Sequence, residues 1–219
     1  MTKVLCIETA STHCNVALHA DGQNYVSALD VGRTHNIHLL PHLQTLFERA
    51  GIMAMELECI AFGCGPGSFT GVRLAAAATQ ALALAADARV LGLKNSRLLA
   101  ASVPAAELAG RAVLSCIRSR GESYYLGVWQ DDQVLREDAL CDAAPDWLQS
   151  LTPADVLLAG VRPPWLPEAL VQDVAAPLIL PTAMLEVALG DYRAGLHNDA
   201  EMALPVYLHG DSPWRPSHA

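Results

Sequence analysis

The stretch Gly63-Cys64-Gly65-Pro66-Gly67-Ser68-Phe69-Thr70-Gly71-Val72-Arg73 constrains this chain more than any other. The apolar run Ile60-Ala61-Phe62 before it reads as a buried strand. Leu74 to Ala86 after it, almost wholly Ala, Leu, Thr and Gln, reads as a helix. The stretch is therefore a strand–glycine loop–helix junction. Glycine reaches positive φ without a Cβ clash and admits another backbone or a ligand at close range. Pro66 stiffens the loop, and Ser68 or Thr70 can cap the helix by accepting its first free N–H groups. Those N–H groups and the helix dipole favour anions. Two readings are open: a phosphate cradle, or a tight turn that brings the helix close to the sheet. The loop lacks the Gly-Lys-Ser/Thr ending of a P-loop, and its glycine spacing differs from the dinucleotide fingerprint.

The elements around this junction come in a distinctive order. Lys3 to Ile7 reads as a first strand ending at Glu8-Thr9-Ala10-Ser11, and Asn15 to Leu18 as a second. Asp21-Gly22 is a hairpin signal, and Tyr25 to Leu29 is the returning third strand. Helix, strand, helix and strand follow, with Arg89 to Leu93 the last strand and a short helix from Asn95 or Ser96 to Val103. Ala112 to Ile117, Tyr124 to Trp129 and Val134 to Ala139 then read as a second three-stranded start, with Asp131-Asp132 at its turn. The copy decays afterwards into a short helix at Asp146 to Leu151, a strand at Val156 to Ala159, a stiff proline loop at 162–167 and a last helix from Pro181 to Leu196. The expected division is a first lobe over 1–103 and a smaller, degenerate lobe over 104–219, closed by a polar tail.

Both helices of the first lobe carry more apolar surface than one buried face needs. Thr34 is a good N-cap for a helix running to Ala50, with Gly51 as its stop. Pro41 lies inside it and removes a hydrogen bond, so the helix either starts near Leu40 or kinks there. Ile37, Leu40, Leu43 and Phe47 form one stripe, and Leu39, Leu46 and Ala50 a second beside it. The reading assigns the first stripe to the lobe's own core. The second, with His35 and His42, goes to a partner subunit. Val72 to Ala86 is apolar nearly all round, so Ala75, Ala78, Thr79 and Leu82 are expected to share that contact.

Aromatic residues are only 5% of the 219, so the core must be built from Ala, Leu and Val. The Ala-rich helix is interrupted by Arg73, Gln80 and Asp87, and no run suggests a membrane span. The N-terminus reads as a strand, not a signal peptide. Six cysteines are scattered with no Cys-x-x-Cys pair, which points to reduced, mostly buried thiols and a cytoplasmic chain. Net charge is −9 with no basic run, so any work on RNA would go through a partner.

The glycine stretch resembles the signature of the bacterial TsaB (YeaZ) family. Glu8-Thr9-Ala10-Ser11, the run from His35 to Pro41 and Pro205-Val206-Tyr207-Leu208 support the resemblance by order and spacing. The family motif falls on Gly65, Pro66, Gly67, Ser68, Phe69, Thr70, Gly71 and Arg73. The resemblance implies an α/β, two-lobed fold of the actin-like ATPase and sugar-kinase (ASKHA) superfamily. Working members hold ATP and a metal between the lobes, so Glu8, Thr9 and Ser11 would be a vestigial nucleotide or cation site. The second acidic residue of that plan falls here on Ile117, and the family's arginine on Ser119, where a carboxylate's chemistry is lost. Ala159-Gly160-Val161 offers only one glycine of the pair that binds adenosine.

The family implies a non-catalytic subunit that pairs with a TsaD-type transferase, joined by a TsaE-type ATPase, to make threonylcarbamoyl-adenosine beside the anticodon of tRNAs reading codons that begin with A. ATP would be used by the complex, tRNA met through the complex, and no cofactor or membrane bound by this chain alone. Without its partner the chain is expected to form a homodimer through the same helices. The rival classes are an active ATPase or kinase and a glycoprotease-like peptidase. Ser68 is no nucleophile elbow, because Gly67 is adjacent to it. His35, His38 and His42 share a helical face, and the TsaD subunit carries a His-x-x-x-His metal motif, but no carboxylate stands at ligand spacing, so no metal is expected.

Overall fold

Two-residue hairpins and period-two alternation build the first sheet. The structure is a computed structural model describing residues 2–152, 154–174 and 178–208; the expected polar tail lies outside them. Strands β1 (Val4–Glu8), β2 (His13–Ala20) and β3 (Gln23–Asp30) form an antiparallel meander. Asp21 and Gly22, both at positive φ, make the β2–β3 turn. Helix α1 (His35–Ala50) returns the chain to β4 (Cys59–Gly65), parallel to β1. Helix α2 (Phe69–Ala86) returns it to β5 (Arg89–Lys94), parallel to β4. The order is β3-β2-β1-β4-β5.

The second sheet repeats that plan. After α3 (Asn95–Ala101) and the short α4 (Ala105–Leu108) come β6 (Ala112–Arg118), β7 (Tyr124–Gln130), β8 (Gln133–Cys141), β9 (Val156–Gly160) and the two-residue β10 (Gln172–Asp173). Their order is β10-β9-β6-β7-β8, the first order strand for strand. Asp131 and Asp132, both at positive φ, occupy the same hairpin position as Asp21 and Gly22. The repeat read from the sequence is thus a topological one, and the molecule has the expected α/β, two-lobed plan with one five-stranded sheet in each lobe.

Alternation along β1 shows how the layers stack. Leu5 and Ile7 face a core under α1 and α2 with Phe62, Leu39, Leu43 and Leu46. Val4 and Cys6 face a central core shared with Val113, Trp129 and Leu157 of the second sheet. Helices α3 and α5 (Pro181–Arg193) fill the space between the sheets. Arg97 of α3 clamps the two lobes: it donates to Asp191 of α5 at 2.6 and 2.9 Å and to Asp132 of the second hairpin. The outer face of the second sheet lacks long helices and is covered by Leu148, Leu166 and Val171 from irregular segments. Residues 181–208 come back to the first lobe, where Asn198 pairs with Val90.

The helix α1 is continuous from His35 through Pro41, so it does not start near Leu40. Its stripes divide differently from the expectation. Leu39 and Leu46, each 1% exposed, and Leu43 face the lobe's own core, and His35 is buried beside them. Leu40 and Ile37, assigned to the core, are exposed, and Phe47 is half-buried. At about 100° per residue, His35, Leu39, Leu43, Leu46 and Ala50 form one narrow face, and Leu40 stands about 100° from Leu39. Periodicity fixes those angles but not which face meets the sheet. In α2, Ala75 and Thr79 are likewise buried, whereas Ala78 and Leu82 are half-buried. By length and mean hydropathy (1.3) α2 could span a bilayer; here its Ala75, Ala76 and Ala83 face pack on the sheet.

Candidate functional site

The glycine loop is packed against its own chain. Ser68 caps α2, accepting from Gly71 N–H at 3.3 Å. A Cβ on Gly71 would stand 2.0 Å from the Thr9 carbonyl oxygen, and one on Gly67 2.8 Å from Ala10 Cβ. Thr9 Oγ1 donates to the Gly71 carbonyl at 2.7 Å, and Ser68 N–H donates to the Ala10 carbonyl at 2.9 Å. On the other side, Val206 N–H donates to the Cys64 carbonyl at 2.8 Å. Of the two readings, the close-approach turn is the one this geometry matches. The space a phosphate cradle would need is taken by the β1–β2 turn.

Glu8 organises that turn. Its side chain is fully buried and accepts from Ala10 N–H (2.5 Å), Ser11 N–H (3.1 Å), Ser11 Oγ (3.0 Å), Asn15 Nδ2 (3.0 Å) and Asn95 Nδ2 (3.3 Å). Burial pushes its carboxyl above the ordinary value, against those donors. Of the residues expected at a vestigial nucleotide or cation site, Thr9 is tied to α2 and Ser11 to Glu8.

At the matching end of the second sheet the expected acidic position is Ile117. Ile117 packs against the central core, and Ser119 Oγ donates to Tyr125 Oη at 3.2 Å. Gly160, at φ +105°, lies so close to β6 that a Cβ there would be 2.1 Å from the Cys116 carbonyl oxygen. Sequence reasoning passed over the polar group between the lobes. Asp138 of β8 accepts from Ser96 Oγ at 2.8 Å, and Trp129 Nε1 donates to the same hydroxyl at 3.2 Å. Lys94 and Glu137 form an ion pair beside it.

Burial pushes the Asp138 carboxyl above its ordinary 3.8. A carboxyl whose folded pKa is raised favours the native state most below its unfolded pKa, and that contribution is lost as pH rises through the folded value. Asp138→Asn removes the penalty while keeping an acceptor for Ser96. The variant is expected to melt no lower than wild type at pH 7, its relative stability falling as pH drops toward about 4. A markedly lower melting temperature at pH 7 would contradict this account.

The histidines are engaged separately. His35 meets the His13 carbonyl at 3.3 Å, and His42 meets Ser27 Oγ at 2.7 Å. Burial, with His38 nearby, holds His42 below its ordinary pKa. Among the described residues no group of three His, Cys, Asp or Glu is placed to hold a metal. All six cysteines are free thiols, five of them buried.

The outward faces of α1 and α2 carry exposed apolar residues among polar ones such as Gln44, Glu48 and Arg49. Ile37, Leu40 and Leu84 are 62%, 67% and 67% exposed, with Met53 and Met55 beside them. Leu40, Phe47, Met53 and Leu82 line an open groove of about 410 Å³. Of the apolar residues of α1, Ile37 and Leu40 are therefore the exposed ones, whereas Leu39 and Leu46, expected to face a partner, are buried in the lobe's own core. Among the expected ones, Ala78, Leu82 and His42 lie half-buried at the margins.

The family model described as TsaD, tRNA N6-adenosine threonylcarbamoyltransferase, matches residues 28–155, a segment holding both α1 and α2. The tRNA threonylcarbamoyladenosine biosynthesis protein TsaB of Escherichia coli strain K12 is 27% identical over 231 residues, which covers 97% of each chain. A solved Pseudomonas aeruginosa structure, described as an uncharacterized protein with similarity to peptidase YEAZ, is 30% identical with a TM-score of 0.81. It covers 95% of this chain and 100% of that one. A second, described as YeaZ from the same organism, is 29% identical with a TM-score of 0.79 over the same shares.

Proposed function

This chain belongs to the TsaB (YeaZ) family, and from that premise we propose that it is a non-catalytic subunit of the machinery that makes threonylcarbamoyl-adenosine in tRNA. It pairs with a TsaD-type transferase through the outward face of α1 and α2. A TsaE-type ATPase joins the pair, ATP is used by the complex, and tRNA is met through it in the cytoplasm. Alone, the chain pairs with a second copy through the same face.

The observation that carries this reading is the exposed Ile37, Leu40 and Leu84, with half-buried Leu82, on two adjacent helices. The TsaD family model spans that same helix pair in this chain, so a TsaD-type protein has a related pair of its own. Two such pairs meet as a four-helix contact, with the same pseudo-symmetric logic as an isologous dimer. The reading as a helper, not an enzyme, is supported by Ile117 in the acidic position and by Glu8 accepting from Ala10, Ser11, Asn15 and Asn95 of its own chain.

The test is co-purification with a TsaD-type subunit, then a tRNA-modification assay with each component omitted. Modification is expected to need this chain, and omission of it without effect would refute the proposal. The purified chain alone is expected to turn over neither ATP nor peptides, and ATP hydrolysis lost on Glu8→Ala would overturn that. With net charge −9 it is also expected to bind tRNA weakly at physiological salt. Tight, salt-sensitive binding in a gel shift would contradict that.

A further inference from the structure

The segment after α5 returns to the first lobe and runs along the flank of α2. The turn Ala200–Met202 sits where Gln80 Nε2 donates to the Ala200 carbonyl at 3.5 Å. Ala200 and Ala203 are buried in the same core as the undersides of α1 and α2. Six residues further on, Val206 N–H reaches the Cys64 carbonyl in the glycine loop. A Cβ on Gly65 would stand 3.1 Å from the Val206 carbonyl oxygen, so the glycine allows the segment to lie close. Residues 200–208 therefore form a strap antiparallel to α2, in the same layer as the two helices.

The strap's end is held by a ring–cation–ring contact. Arg73 lies over Phe69 with its guanidinium carbon 3.1 Å from the ring centroid and 4.8 Å from that of Tyr207. The two rings are 6.1 Å apart, and Arg73 Nη1 donates to the Phe69 carbonyl at 3.0 Å. Phe69 and Arg73 are successive positions on the first turns of α2, so Tyr207 is fixed to the helix itself. The strap buries its alanines and leaves its large apolar side chains outward: Met202 and Leu204 are 57% exposed, Val206 42% and Tyr207 41%.

We propose that this strap is a third element of the pairing surface: Tyr207, anchored by Arg73, positions it beside α2, and Leu204 and Val206 contact the same helical partner. The proposal rests on the pairing face assigned to α1 and α2. Continuity argues for one occupant. The strap shares their layer and core, and its exposed Tyr207 meets the exposed Phe69 on the first turn of α2, so the apolar surface of α2 continues onto it. A partner broad enough to cover two helices would cover it too, and no polar recognition chemistry along 202–207 points to a different ligand.

The test compares three proteins against a purified TsaD-type subunit by titration calorimetry: wild type, Leu40→Glu, and the double variant Leu204→Ser with Tyr207→Ala. Amide exchange of the wild-type complex adds a readout that no substitution can disturb. The double variant is expected to keep its melting temperature and to lose more than about tenfold in affinity. Backbone amides of 203–208 are expected to slow on pairing. Unchanged affinity together with unchanged exchange at 203–208 overturns the strap proposal, whatever Leu40→Glu does. If Leu40→Glu pairs normally while the double variant is weakened, the strap stands and the assignment of the helix face falls.

Discussion

Gly71→Ala is expected to be among the most destabilising single-methyl changes in the molecule. The added carbon would lie 2.0 Å from the Thr9 carbonyl oxygen, 2.7 Å from its carbon and 2.9 Å from Ala10 Cα. All three are backbone atoms of a turn that Glu8 holds with three hydrogen bonds, so no flexible side chain can move aside. Relief must come from lifting the first turn of α2. That breaks the Thr9–Gly71 and Ser68–Ala10 bonds together. Overpacking of an ordinary core costs about 1–3 kcal/mol, and a backbone clash with two lost hydrogen bonds belongs at or above the top of that range. For a chain this size, each kcal/mol lowers the melting temperature by about 2–4 °C. A loss of roughly 6–12 °C is expected by calorimetry. Gly190→Ala is the control: nothing stands within 4 Å of its Cβ in the interior of α5, so it should gain up to about 1 kcal/mol. Similar melting of both variants would show that α2 does not rest on the turn as tightly as described.

That contact also marks where the sequence stops being legible. The glycines announce that something approaches closely, but what approaches is Thr9, Ala10 and Val206, residues distant along the chain. A local motif does not name its non-local partner, which is why the loop alone leaves both a phosphate and a backbone reading open. The two hairpins were legible because Asp21-Gly22 and Asp131-Asp132 encode their φ values locally. From them the repeated meander could be read. The strap was not legible as a strap: Pro205 to Leu208 makes one ladder-like hydrogen bond and has no periodicity, and its place is set by Arg73 and Cys64. Asp138 escaped notice for the same reason, since its partner Ser96 belongs to another element.

The face of α1 gives the sharpest separation of stability from pairing: it keeps Leu43 in the core, as periodicity suggested, and exchanges the expected places of Leu40 and Leu46. Leu46 sits among Leu5, Ile7, Leu39 and Leu43, whereas Leu40 stands outward beside Leu82 and Met53. Leu46→Glu discards about 1.5–3 kcal/mol of buried side chain and places a carboxylate where no cation or donor can meet it, at a further cost of several kcal/mol. Total stabilities are only about 5–15 kcal/mol, so this variant is expected to unfold the first lobe. Leu40→Glu changes a surface position and should shift stability by less than about 0.5 kcal/mol. In a complex the same glutamate would lie at the centre of a four-helix contact, losing its water without gaining a partner, so pairing should vanish. Light scattering and thermal melting of the two variants, alone and with a TsaD-type subunit, separate the effects. A folded Leu40→Glu that still pairs would remove α1 from the interface. A Leu46→Glu that melts like wild type would mean that this helix does not present Leu39, Leu43 and Leu46 to its own sheet.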